Sequence, residues 1–508
     1  MEALAGSHGW HANMDGRHET VQGMVDIGQS ASSRPPRSHR LTSASAQAAT
    51  RHPIPRRPQQ FPDRDPGART GAADRAPRGG PVATPLAQPR VEDTWRTAEW
   101  RRPYASPVRS LSHGAGRDVL LDDLCSTLFA SLRRSDQRRK GRQYLKGLLD
   151  VEGRKSIRNI ATAIGGHASE QSLHHFIASS TWDWLPVRQA LTRYVHRASE
   201  PLAWVLRPMV IPKVGEHSVG VARRFIPALG QLLNAQHAVG VWTVGEEMTC
   251  PVNWALHLSP AWQDRVREVD DAVDVGPDPD EPMGDCTVGT LLDVSAESGF
   301  SKLPVVFDGR ERNLVNLLPE IRATGHPFLV RINDDMPLHL VDTALAGHRG
   351  GALRAGHIMS ALTDLRRPVM WADRESRRQV LSLVATARVR PVTATRNTGS
   401  GPVAGGGEMA LVAIAEQASD WPGTLWLTDL VNTPPGDLFR LTRLVDRVDR
   451  DFADIADRVG IRDFAGRSYH GWHRHTTLAS AAHAVMALTM AANRTLDDAR
   501  FPDALAPV

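Results

Sequence analysis

Cysteine is scarce in this chain. Its 508 residues contain three, Cys125, Cys250 and Cys286. An odd and widely spaced set supports neither a disulfide framework nor a CxxC-type zinc site, so a reducing compartment is expected. Long apolar runs are also missing. No stretch approaches the roughly 18 apolar residues of a membrane span. The most apolar segment, 478–493, is Ala-rich, carries His483 and reads as a buried helix. No apolar core near the start resembles a secretory leader, so a cytoplasmic location with no membrane partner is expected. No repeat of about 20–50 residues is visible. What is present, 41% hydrophobic and 23% charged residues, fits a globular protein with a sizeable core.

The net charge of +5 is unevenly placed. Segment 1–113 holds 16 basic and 10 acidic side chains, which leaves the remainder slightly acidic. That segment is rich in Pro, Arg, Ser, Gly and Ala, as in Ser33-Arg34-Pro35-Pro36-Arg37, and has few aliphatic residues. It buries too little apolar surface to offset its ordering entropy and is read as a disordered basic extension. It is either an arm that clings to phosphates or an extension with no selected role.

Helical spacing begins near residue 118. Segments 120–133, 135–149, 156–164, 170–179 and 186–197 read as helices, giving a helical region at 118–200. Ten cations from Arg133 to Arg158, among them Arg138, Arg139, Lys140 and Arg142, face only Asp136, Asp150 and Glu152. Such a cluster is either a solvated face or a nucleic-acid contact. Apolar runs at 202–206, 217–221 and 237–244 then read as strands, with a further strand at 251–258. An acidic, Pro-containing loop at 268–281 and a helix at 287–297 follow. Strand 303–307 ends at Asp308-Gly309, a helix spans 313–323, and a strand spans 327–332. Successive strands followed by strand–helix–strand predict an α/β fold with a mixed sheet and flanking helices over 201–335. Segment 336–424 reads as a β-rich insertion with a hairpin candidate at 397–407. A strand at 425–427 and two helices, 435–459 and 475–492, complete the core within 425–495.

Four stretches, Asp136–Ser156 (DQRRKGRQYLKGLLDVEGRKS), Phe176–Arg188 (FIASSTWDWLPVR), Pro212–Arg223 (PKVGEHSVGVAR) and Phe464–His475 (FAGRSYHGWHRH), resemble insertion-sequence transposases of the DDE class, in the family's order and spacing. The resemblance spans 118–492. It implies an RNase H-like sheet in which two Asp and one Glu hold two Mg²⁺ ions for strand cleavage and transfer. It also implies double-stranded DNA as partner, a homodimer as candidate assembly and a nucleoid-associated place in the cytoplasm.

Carried over residue by residue, the set is degenerate. The family's first Asp lies in a pattern like Trp-Val-Ile-Asp-Asp-Thr-Gly-Phe-Pro-Lys. Here Trp204-Val205-Leu206-Arg207-Pro208-Met209-Val210-Ile211-Pro212-Lys213 replaces both acids, by Arg207 and Pro208. The second Asp corresponds to Asp308. The helix pattern Arg-x3-Glu-x6-Lys corresponds to Val445, Asp449 and Ala456, so Glu has become Asp and both flanking cations are gone. A guanidinium in a bridging ligand's place repels a divalent cation. Asp308 and Asp449 are therefore the remaining catalytic and metal candidates. Arg207 is expected to take the missing cation's place by pairing with one of them. Phosphate contacts are expected from Arg138, Arg139, Lys140, Arg142, Lys213, Arg223, Arg467, His473 and Arg474. The implied function is a transposase-like DNA-binding protein that has lost cleavage and needs no cofactor. The alternatives are an active transposase using Mg²⁺ and a domesticated transcription regulator.

Overall fold

The computed structural model describes residues 116–165, 167–226, 230–269, 302–341, 351–372, 379–392 and 407–500. The sequence readings at 1–113, 287–297 and most of 268–281 and 397–407 lie outside the described residues.

Helices open the described chain: α1 (Arg117–Leu128), α2 (Ser135–Asp150), α3 (Ile157–Ile164), α4 (His167–His174, continued by a π turn at His175–Ser179) and α5 (Leu185–Ala198). Local chemistry sets their ends. The Ser156 hydroxyl accepts from the Asn159 backbone N–H at the start of α3, and Gly165 closes it at φ +117°, where a side chain would strain the backbone. Gly147 on α2 lets α3 approach closely, since a Cβ there would lie 2.3 Å from an Ile160 methyl carbon.

Strands β1 (Pro201–Pro212), β2 (Val221–Ile226), β3 (Gln231–Gly245) and β4 (Thr249–Leu256) follow, then helix α6 (Pro260–Val269). Next come β5 (Val305–Asp308), α7 (Leu314–Ala323), β6 (Phe328–Ile332), β7 (Pro337–Leu340), β8 (Leu353–Arg354) and α8 (Ala355–Ala361). The chain continues with β9 (Arg367–Ala372), β10 (Gln379–Pro391), β11 (Met409–Ala415), β12 (Thr424–Thr428), α9 (Pro435–Asp451) and α10 (Tyr469–Arg500).

The described strands form one mixed sheet in the order β2-β3-β1-β5-β6-β12-β11-β10-β7-β8, with β4 also on β3 and β9 also on β10. Strand β1 is antiparallel to β3 and parallel to β5, and β5 is parallel to β6. An antiparallel hairpin followed by parallel strands joined through a helix is the mixed α/β sheet that the strand pattern predicts. The segment at 336–424 supplies strands that continue this sheet beyond β6 through β12. One expected strand is corrected: 217–221 is mostly a turn, closed by Val221 N–H donating to Ser218 O at 3.2 Å with Gly220 at φ +72°.

The core lies between the sheet and the helices. Trp204, Trp242 and Trp254 on the strands and Trp472 on α10 are all fully buried. Truncating such a ring to Ala costs about 3–5 kcal/mol. Along α10, residues Leu478 to Val485 have no side chain reaching solvent, because the helix packs on β4 on one side and on α1, α2 and the π turn on the other. Its Ala residues keep it slender enough for both contacts. Helix α9 lies across β1 and β5.

Candidate functional site

The strand register assembles the site. Arg207 on β1 stands opposite Gly240 of β3, and Leu206 stands opposite Phe307 of β5. One step further, Arg207 and Asp308 are abreast, and Asp308 is paired with Arg331 of β6. Side chains at one level of adjacent strands share a face. The sheet thus carries Arg207, Asp308 and Arg331 in a row, with Asp449 presented by α9 above. Gly309 lets the chain leave β5 tightly, since a Cβ there would fall 2.4 Å from a Val330 methyl carbon.

Each carboxylate holds a guanidinium. Arg207 Nε donates to Asp449 Oδ1 at 2.8 Å, and its guanidinium carbon sits 3.6 Å from the Phe452 ring centre. The Arg207 Nη1 donates to the Pro208 carbonyl at 3.0 Å. Arg310 clasps Asp308, with Nη2 donating to Oδ2 at 2.6 Å, Nε donating to both oxygens, and the backbone N–H donating to Oδ1 at 3.1 Å. Burial raises the Asp308 carboxyl, but the Arg310 contacts and the nearby Arg331 leave it below its ordinary value. Burial holds Asp449 above its ordinary value, against the pull of Arg207. Burial also lowers Arg207, which Asp449 partly offsets. A guanidinium still keeps its proton throughout the working range.

Three carboxylates around a hard cation are what metal-assisted strand chemistry needs. Among the described residues no group of three His, Cys, Asp or Glu side chains could hold a metal. The residues present do not fit a divalent ion: Arg207 stands beside Asp308 in the row, and both acids are already hydrogen-bonded to arginines. As it stands the site holds an internal ion-pair network, Arg207 with Asp449 and Arg310 with Asp308. The arginines on Asp308 and beside it were not anticipated from sequence. Arg310 was legible in principle, because Asp-Gly-Arg places a cation two residues past the turn; Arg331 required the β5–β6 register.

The expected DNA contacts divide into three groups. Arg138, Arg139, Arg223 and Arg467 are exposed, and Lys140 is half-buried. Arg142 is exposed but pairs with Asp122 of α1 at 2.5 Å, while Lys146 pairs with Asp150 at 3.1 Å. The acids that temper this cluster thus include residues from α1 that the sequence reading of the cluster did not count. Lys213 is half-buried, donates to the Phe464 carbonyl at 2.6 Å, and is pushed down to about 8 by burial and by Arg154.

His473 and Arg474 are corrected, because both are buried and neither can face a phosphate. Arg474 donates to the carbonyls of Trp182 (3.0 Å) and Ile177 (3.2 Å), and lies over the Trp182 ring. His473 stacks on Trp184, with ring centres 4.8 Å apart, and meets Arg188 through Nδ1 at 3.1 Å. His475 bridges Tyr144 Oη (2.8 Å) and the Gly460 carbonyl (2.9 Å). The stretch Phe464–His475 is a clasp between α10 and the first helices. Its hub is Arg188, fully enclosed and donating to Thr477 Oγ1, Asn253 Oδ1, the Trp254 carbonyl, the His473 carbonyl and Thr476 Oγ1.

Comparison with protein families gives a match to the model described as DDE superfamily endonuclease over residues 127–394, a little over half of the chain. The matched span runs from the end of α1 through β10 and includes Arg207 and Asp308; Asp449 lies beyond it. Comparison with curated proteins finds no match.

Proposed function

We propose, for a chain that belongs to the DDE superfamily endonucleases, that it is a transposase-like protein which binds double-stranded DNA and has lost strand cleavage. The observation that carries this reading is the 2.8 Å contact between Arg207 and Asp449. A cleavage site needs anionic oxygens free to take up a cation, whereas here a guanidinium neutralises the last acid from the first acid's strand. The internal pair supplies the positive charge the fold would otherwise draw from metal, so the site stays closed without a cofactor.

DNA contact in this reading comes from Arg138, Arg139 and Lys140 at the start of α2, with Arg223 on β2 and Arg467 before α10. They hold the backbone by charge rather than reading bases. A DNA-bound protein of this kind works in the cytoplasm at the nucleoid, and a homodimer would let it span two ends. No described helix is long and apolar enough to cross a membrane.

The test is duplex binding by fluorescence anisotropy, with EDTA and with Mg²⁺, across a salt series. The reading requires equal affinity in both buffers and a steep loss with salt. It requires Arg138→Ala/Arg139→Ala to weaken binding and flatten the salt slope. Affinity that needs Mg²⁺ would favour the active transposase, and absent salt-dependent affinity would remove DNA from the account.

A further inference from the structure

A cavity of about 310 Å³ opens beside Asp308, outside the carboxyl ends of β5 and β6. The carboxyl ends of parallel strands are where open α/β sheets bind ligands. Its walls combine two chemistries. Leu314 and Leu318 of α7, Ile332, Met336 and Met409 make an apolar floor, and Arg310, Arg312 and Arg322 bring three guanidiniums to it. Arg310 already holds Asp308, and Arg322 lies 3.7 Å from Asp429. Arg312 has no ion pair among the described residues. It is drawn in against the protein enough that burial lowers its pKa, while the acids nearest it, Asp308 and Glu311, act only through space. The acid among the lining residues, Asp335, is solvent-exposed.

An apolar pocket with an unmatched cation favours a ligand that has an anionic head and a flat or apolar body. Two thioether sulfurs, Met336 and Met409, favour an aromatic body, because sulfur makes favourable contacts with ring edges. The volume sits at the lower end of the roughly 300–1,000 Å³ range of small-molecule sites, which suits one monomer unit and excludes an oligomer. A guanidinium with open donors suits a phosphate, which it can engage through two parallel N–H bonds.

We infer that this cavity binds a single 5′-phosphorylated nucleotide, with the phosphate on Arg312 and the base against Leu314, Leu318, Met336 and Met409. The choice of a nucleotide over other aromatic phosphates rests on the DNA-binding reading. The same chemistry is offered by a free mononucleotide and by the 5′ end of a DNA strand.

The experiment is calorimetric titration of the full chain with deoxyadenosine 5′-monophosphate, beside anisotropy with a 5′-hydroxyl duplex. Saturable binding at one site is expected. Arg312→Met should weaken it by about tenfold or more, the loss of one charge-assisted contact. Val315→Trp, made at an exposed wall residue that can be enlarged without entering the core, should abolish it. Both variants should leave duplex affinity unchanged. Deoxyadenosine and inorganic phosphate should each bind more weakly than the nucleotide. Competition by a 5′-phosphorylated duplex assigns the DNA end as source, and its failure to compete assigns the free nucleotide. Inorganic phosphate binding as tightly as the nucleotide would overturn the assignment, as would nucleotide binding that neither variant changes. A wild-type chain that binds the 5′-hydroxyl duplex but not the nucleotide overturns the cavity assignment alone, and one that binds neither overturns the DNA reading with it.

Discussion

Removing the Arg207 guanidinium should destabilise the fold through Asp449. The two side chains retain 18% and 36% of their surface, which puts the pair between two known regimes. Exposed pairs contribute about 0.2–1 kcal/mol, and breaking a buried pair costs roughly 3–5 kcal/mol. Asp449 is wet enough that the upper range must be discounted for solvent screening. The stacking of Arg207 on Phe452 adds about 0.5–1 kcal/mol. Arg207→Met keeps an apolar stem of similar length on β1 and loses the charge, so a cost of about 2 kcal/mol is expected. A double-mutant cycle with Asp449→Asn, read by urea unfolding of the four proteins, isolates the pair. Its coupling should be about 1 kcal/mol in the stabilising direction. A coupling indistinguishable from zero would refute the idea that this ion pair holds α9 against β1.

Three other outcomes follow from the same structure. His196, His257, His475 and His483 are buried, and burial depresses each to about 4. The unfolded chain therefore binds more protons below the ordinary histidine value near 6.5, and this stability is present above that value and lost as pH falls from about 6.5 toward 4. Denaturant midpoints at pH 7.5 and 5.5 should differ clearly, and equal midpoints would contradict the neutral-core assignment. Arg188→Met removes the buried donor shared by Thr477 Oγ1, Thr476 Oγ1 and the Trp254 carbonyl and should cost about 3 kcal/mol or more; thermal unfolding checks it, and a shift below about 2 °C would show that the hub is dispensable. Arg207→Asp places an acid abreast of Asp308 and should raise Mn²⁺ affinity in calorimetry over wild type, whereas unchanged or lower affinity would sink the proposed substitution of cation by guanidinium.

Much of the fold was readable because its elements follow simple periods. The alternation and β-branched content of 237–244 marked β3, the apolar run before Asp308 marked β5, and the uninterrupted Ala-rich segment marked the buried α10. Strand β10 was not singled out: its Ser382 is buried and its Leu381 exposed, against the usual alternation, because its faces are set by pairing with β9, β7 and β11. The site was half legible. The family pattern singled out Arg207 as a candidate, with Asp308 or Asp449 as its partner, and the structure pairs it with Asp449. The clasp of Arg310 on Asp308 depends on side-chain direction and Arg331 on register, neither of which spacing reveals. His473 and Arg474 misled because cations and aromatics in a Gly-containing stretch look the same whether they face a phosphate or a buried carbonyl; only the packing of α10 against the first helices separates the two.

The most direct test of the central claim is nicking of supercoiled plasmid by the full chain in Mn²⁺, the metal most permissive of imperfect ligands. The account predicts no nicking above a metal-free control, with DNA binding intact in the same samples. Mn²⁺-dependent nicking that disappears in Asp308→Ala would contradict it and return the chain to the active endonucleases.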